Sequence, residues 1–302
     1  MARQGSPVAD GQSDLSAAER EHLDELLDQT DPLEAAGDHR AAIGLYDQII
    51  AACVDSANPE RRRRCMWAMV YKARCLARLE QREAALPVNQ EVVARFGDDL
   101  SMTMARGVAQ ALAQNASNYD KLGRGHEEIA CYDETIRRFG GMEVLALRQR
   151  VAWARWARAL SLRDLGRTDE AIEAMMESAS SAGADDTDIR LRGVYSAINL
   201  ADLLVSLGRH QDAVHWYEVA LHGSGHDADD KLRRADVTAR IGLIRAQVAL
   251  GQTEPAAAAY RQLLALPDSA LDEARRTKLT NEFGALLISN GVRKLQHLLF
   301  RR

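Results

Sequence analysis

The residues with the most obvious ligand chemistry are His222-Gly-Ser-Gly-His226, followed by Asp227, Asp229 and Asp230. Two histidines four apart hold one metal ion when both stand on a helix face, but the intervening glycines predict a loop without fixed geometry, so no metal site is expected. Cationic chemistry is denser. Arg61, Arg62, Arg63 and Arg64 form an unbroken run after Pro59, and Arg148, Arg150, Arg155, Arg158 and Arg163 recur through a later stretch. Cations at a helix start oppose its dipole, so the first run reads as a solvated turn neutralised by nearby acids, with an anion-binding role as the alternative. The 39 basic side chains are outnumbered by 44 acidic ones and no nucleic-acid module is present, so a nucleic-acid partner is not expected. Cys53, Cys65, Cys75 and Cys131 show no CxxC spacing and stand inside helical patterns, which reads as reduced thiols. A GxGxxG turn, a Walker loop and a nucleophile elbow are all missing, so no catalytic residue and no cofactor is assigned and the chain reads as non-catalytic.

Whatever these side chains do depends on the elements that carry them. Ala, Leu, Arg and Glu dominate while aromatics and proline are scarce, the balance of helix formers, so the expected class is all-α. Internal repetition then sets the architecture. The segments AAGDHRAAIGLYDQII, RLEQREAALPVNQEVV, KLGRGHEEIACYDETI, DLGRTDEAIEAMMESA, SLGRHQDAVHWYEVAL and ALGQTEPAAAAYRQLL align with a common turn position at Gly37, Glu80, Gly123, Gly166, Gly208 and Gly251. The spacing is 43, 43, 43, 42 and 43 residues, a repeat of supersecondary units. Glycine at the turn supplies a positive φ after the first helix of each pair. Five residues on stand Ala42, Ala85, Ala171, Ala213 and Ala256, small enough for close helix approach, and nine residues on stand Tyr46, Tyr132, Met175, Tyr217 and Tyr260 as packing wedges. The first helices carry Ala73, Ala116, Ala159 and Ala201 seven residues before the turn, and Leu79, Leu122, Leu165, Leu207 and Leu250 directly before it, as the apolar face.

This pattern resembles the tetratricopeptide repeat family in its helix, turn, helix units and its LGR, EAI and Tyr signature, from about Leu33 to Leu266. The units here exceed that family's common length by about nine residues, assigned to the first helix of each pair. They look like the long-unit bacterial variety, with Tyr132-Asp-Glu and Arg137-Arg-Phe-Gly closing one second helix and Arg95-Phe-Gly another. The resemblance implies a right-handed α-solenoid of about six antiparallel helix pairs, and a protein or peptide partner held on the concave face lined by first helices. It places Trp67, Tyr71, Arg74 and Arg78 of the second unit on that face, with Gln110, Gln114, Ser117 and Lys121 of the third. Trp153, Ala157, Leu160 and Asp164 of the fourth unit and Tyr195, Asn199, Asp202 and Ser206 of the fifth continue the set, with Trp156 one face over. Aromatic anchors with arginines suit peptide binding, while the alternative is that the tryptophans only pack the added helix length. Asn199 is followed on the next first helix by Thr238 and Gly242, so the family's clamp for C-terminal carboxylates is not expected.

The departures mark weak places. The second unit has Glu80 at the turn, Pro87 inside its second helix and Asn89 at the wedge position. The third puts Glu128 where alanine is expected, which predicts either a small rotation that swings the carboxylate to water or a basic partner. Ser16 caps a helix that is expected to run through Asp28, with Asp31-Pro32 restarting a short one. The organisation expected is a disordered segment 1–14, the solenoid over 15–290 with a closing helix at 271–290, and a basic amphipathic tail at 291–302. Residues 1–60 hold three basic and thirteen acidic side chains, which either solubilise the N-terminus or fold it back on a basic groove. Without a signal-like leader or an apolar stretch of about 18 residues the chain is expected to be cytoplasmic and not to span a membrane. The function expected is a non-catalytic interaction scaffold, the alternative being a peptide or ligand sensor that acts through solenoid curvature.

Overall fold

A computed structural model describes residues 16–225, 229–266 and 271–284. The chain is an all-α solenoid, with no strand among the described residues. It divides into two compact units, 1–147 and 148–302. The first holds α1 (Ala17–Ala35), α2 (His39–Cys53), α3 (Pro59–Arg78), α4 (Arg82–Phe96), α5 (Met102–Lys121) and α6 (Gly125–Phe139). The second begins within α7 (Leu145–Asp164) and continues with α8 (Thr168–Ala179), a 3₁₀ turn (Ser180–Gly183), α9 (Thr187–Ser206), α10 (His210–Ser224), α11 (Asp230–Ala249) and α12 (Thr253–Leu264). A further helix, α13, is described over 273–284. No described helix is long and apolar enough to cross a membrane. The extra unit length lies in the first helices, as expected: α3, α5, α7, α9 and α11 have 20 residues each, against 12 to 15 in the second helices.

One turn closes all six pairs. Gly37, Gly123, Gly166, Gly208 and Gly251 have φ between 70° and 77°, and Glu80 takes the same left-handed conformation at 60°. In each pair the next residue donates its N–H to the carbonyl four residues before the turn, from Asp38 to Leu33 at 2.8 Å through Gln252 to Gln247 at 2.8 Å. That pattern satisfies carbonyls which a helix end leaves open. The helix contact behind the turn is equally regular: Ala42, Ala85, Ala171, Ala213 and Ala256 are fully buried, as are or nearly are the wedges Tyr46, Tyr132, Met175, Tyr217 and Tyr260.

Four expectations are corrected. Ser16 and Glu19 form a reciprocal cap at the start of α1, but that helix runs unbroken through Pro32, which forfeits only one bond near its last turn. The leucines directly before the turn do not form the apolar face; Leu165, Leu207 and Leu250 are 40%, 47% and 36% exposed. The cap residue points outward there, and the buried contact is made three residues earlier by Leu76, Tyr119, Leu162 and Leu204. Glu128 does not swing to water: it is 9% exposed, and Tyr132 Oη donates to its carboxylate at 2.8 Å. His222, Gly223 and Ser224 are the end of α10 rather than a loop, because glycine at 223 lets the helix rest on Ala182, where a Cβ would lie 2.4 Å from the carbonyl oxygen. His226 and Asp227 lie outside the described residues, as do the segment 1–14 and the tail 291–302.

Candidate interaction surface

In the first unit charged side chains tie α3 to α1 and α2. Arg61 pairs with Glu19 at 2.7 Å, Arg64 pairs with Asp24 and with Glu60 at 2.9 Å, and Lys72 meets Asp47 at 2.6 Å. Two members of the arginine run, Arg61 and Arg64, are thus paired with acids of the N-terminal helix, and Arg64 also with Glu60 of its own helix. Glu34 is heavily committed. It accepts from Arg74 Nη2 through both oxygens, at 2.8 and 2.9 Å, and from Tyr46 Oη at 2.6 Å. Burial pushes the Glu34 carboxyl up, but the bonds from Tyr46 and Arg74 outweigh it and hold the group below its ordinary range. Burial and the facing carboxylate drive the Tyr46 phenol far upward.

Arg74 also lies over Tyr71, 4.6 Å from the ring centre, and Tyr71 stacks on Trp67 at 5.5 Å. The predicted residues Trp67, Tyr71 and Arg74 therefore form one half-buried column along α3, with Arg78 exposed at its end. Gln110 and Gln114 are half-buried on α5, where Gln114 Oε1 is a buried acceptor without a hydrogen-bond partner. In the second unit Trp153 and Trp156 stand on α7, with Tyr195 and Asn199 on α9, all half-buried. Trp156 meets Tyr195 at 6.4 Å, Arg192 lies 5.0 Å from its ring centre, and Arg150 lies 5.9 Å from that of Trp153. Each unit thus pairs aromatic rings with guanidinium groups on its first helices.

Two partners here escape inspection of the sequence, Glu34 and Arg192. Glu34 has a recoverable signal, since it lies 40 residues from Arg74 and so nearly one period away. Asp202, expected on the open face, is exposed and also accepts a bond from Tyr217 Oη. Gly242, where a carboxylate clamp would need a basic residue, is glycine for a packing reason: a Cβ there would meet the Tyr217 ring at 2.3 Å. The free cysteines carry no activated thiolate; burial raises Cys65 to about 11 and Cys75 and Cys131 to about 12. The second unit also has an open cleft of ≈ 510 Å³ beside the 3₁₀ turn, lined chiefly by Met176, Ala179, Ala182, Trp216, Val219 and His222.

The tetratricopeptide repeat family model matches residues 154–185, the fourth turn with its flanking helices. No curated protein matches the sequence. Among solved structures, BtubC (BKLC) from P. vanneervenii is similar at 16% identity with a TM-score of 0.52, over 74% of this chain and 89% of that one. Kinesin light chain TPR-like repeats from Podosopora anserina are 16% identical over 70% of this chain and 99% of theirs, with a TM-score of 0.47. The Rap conjugation gene regulator of the plasmid pLS20, in complex with the Phr* peptide, is 14% identical over 95% of this chain and 74% of its own, with a TM-score of 0.42. Only the first superposes well enough to bear on the fold, and it agrees with the helix pairs described above. Six pairs closed by one left-handed turn, five of them with an alanine contact behind it, have the architecture of tetratricopeptide repeats, and the family model matches the fourth of them.

Proposed function

We propose that this chain is a non-catalytic scaffold which holds a peptide or protein segment on the concave face formed by its first helices. The observation that carries the reading is the recurrence, in both units, of half-buried aromatic rings braced by arginines: Trp67 and Tyr71 with Arg74, Trp153 with Arg150, and Trp156 with Arg192. Such rings are already ordered by their neighbours, so a ligand that covers them buries apolar area with little further loss of side-chain freedom. Arg74 is held by Glu34 and serves as a brace, which leaves Arg78 as the exposed cation at the end of the α3 column. Partners with apolar side chains and carboxylates suit that composition.

Selection from a displayed peptide library on the purified chain tests this. Peptides with aromatic or aliphatic anchors should be enriched, and Trp67→Ala, Trp153→Ala or Arg78→Ala should each weaken binding of at least one enriched peptide by about tenfold with unchanged helicity. Enriched peptides that bind all three variants as tightly as the parent would remove the first-helix face from consideration.

A further inference from the structure

We propose that the second helix pair is the joint of the first unit, where the N-terminal half of α4 parts from α5 while the first and third pairs stay closed. Three irregularities meet there and at no other pair of this unit. Glu80 is the one non-glycine among the described residues with a positive φ. Pro87 leaves the Glu83 carbonyl without the helical donor it would otherwise receive. Asn89, fully buried, stands where α2 and α6 place Tyr46 and Tyr132.

The amides that result are incompletely matched. Asn89 Nδ2 donates to Asn115 Oδ1 at 3.0 Å and Asn115 Nδ2 donates to the Leu86 carbonyl at 3.3 Å. Asn89 Oδ1, Asn118 Nδ2 and Gln114 Oε1 are buried without a hydrogen-bond partner. Opening admits water to these groups, so the open state recovers bonds which the closed one lacks, and the cost of opening is lowered here. The far end of α4 is held: Val92 and Phe96 are buried, Arg62 lies 5.3 Å from the Phe96 ring centre, and Arg95 donates to the Val54 carbonyl at 3.2 Å. The movement is therefore a hinge at residues 82–90. Because α4 stands between α3 and α5 in the chain and packs on both, opening resets the spacing of Trp67 and Tyr71 against Gln110 and Gln114.

Hydrogen exchange on the full, unliganded chain reads this directly and is independent of any partner. Amides at 84–90 should exchange about tenfold faster, relative to their intrinsic rates, than those at the same repeat positions in α2 (41–47) and α6 (127–133). Replacing both amides by apolar groups, Asn89→Leu with Asn115→Leu, should slow 84–90 by about tenfold and leave 127–133 unchanged. Should that double variant fail to fold, Glu80→Gly, which relieves the strained turn alone, should slow the same segment in the same direction. Equal protection of all three segments in the parent chain overturns the proposal, as it would if a firmly held water completed the amide network. So does exchange at 84–90 that ignores both variants.

Discussion

The first and second units solve one packing problem in two ways. Fifteen residues after the turn, where a second helix ends beside the preceding pair, the first unit uses arginine. Arg95 donates to the Val54 carbonyl at 3.2 Å and Arg138 to the Gly97 carbonyl at 2.7 Å, each reaching back 41 residues to the end of the previous second helix. The second unit puts Gly223 at the same position, and α10 there touches the 3₁₀ turn directly. Gly193 of α9 presses on that turn from the other side, where a Cβ would lie 2.2 Å from the Ala182 nitrogen. A long cation satisfies distant carbonyls and tolerates a gap. Two glycines permit backbone contact but tolerate no added atom. Repeat register therefore fixes where neighbouring pairs meet, and the residue at that place decides how rigid the meeting is.

The largest effect should come from the glycine side of this contrast. Gly193→Ala forces a Cβ into backbone, and we expect a loss of about 3 kcal/mol in urea unfolding. Gly44→Ala in α2 adds a Cβ where nothing lies within 4 Å and should stabilise by about 0.5–1 kcal/mol. If both variants shifted the midpoint alike, the glycine contact would be no more than helix propensity.

Next in size are Ala171→Leu and Ala213→Leu. Both alanines are fully buried at the contact behind the turn, so each change should overpack and cost about 1–3 kcal/mol. Equal melting midpoints for parent and variants would show that the turn register is misassigned.

The arginine side should give smaller changes. Arg138→Ala removes one donor from a helix-end carbonyl and should cost about 1 kcal/mol, with Arg95→Ala lower because that side chain is more exposed. Arg138→Lys should recover only part of the loss, since Arg138 serves both Glu134 and the Gly97 carbonyl and an ammonium cannot reproduce the planar fork.

The smallest effect is the acid response of the same staple. Arg137 and then Arg138 hold the Glu134 carboxyl down to about 2, against an ordinary 4.5, with burial opposing them. A depressed carboxyl stabilises the fold above its unfolded value and loses that contribution as pH falls through its folded value. The melting midpoint should therefore decline between pH 4.5 and 2, and Glu134→Gln should flatten part of that decline. A Glu134→Gln profile parallel to the parent over this window would show that the carboxylate contributes nothing there.

Much of the fold is legible along the chain because turn and contact are local. Five glycines and the alanines five residues on state a left-handed turn and a close helix crossing, and the structure has both. Serine at 16 with glutamate at 19 states a cap. The site is less legible. Trp67, Tyr71 and Arg74 do share one column, yet the acid that holds Arg74 sits on another helix, 40 residues away. Glu128 looked like a misfit because its acceptor role depends on Tyr132 lying one turn on, in a buried setting that only the packed helices create. The leucines before the turn looked like core for a related reason: apolar identity does not say which way a helix-cap residue points.

What the sequence determined by itself is the period, the six turns and the residue types placed at each contact, since backbone conformation and helix amphipathicity arise from neighbours within a few residues. The tertiary structure decided which polar groups are committed and which remain open. Glu34 is used by Arg74 and Tyr46, Asp202 by Tyr217, and Glu128 by Tyr132, so a tyrosine at one repeat position finds a different carboxylate in each of three pairs. A buried phenol must find an acceptor, but which acid supplies it depends on the approach of helices that are distant in the chain.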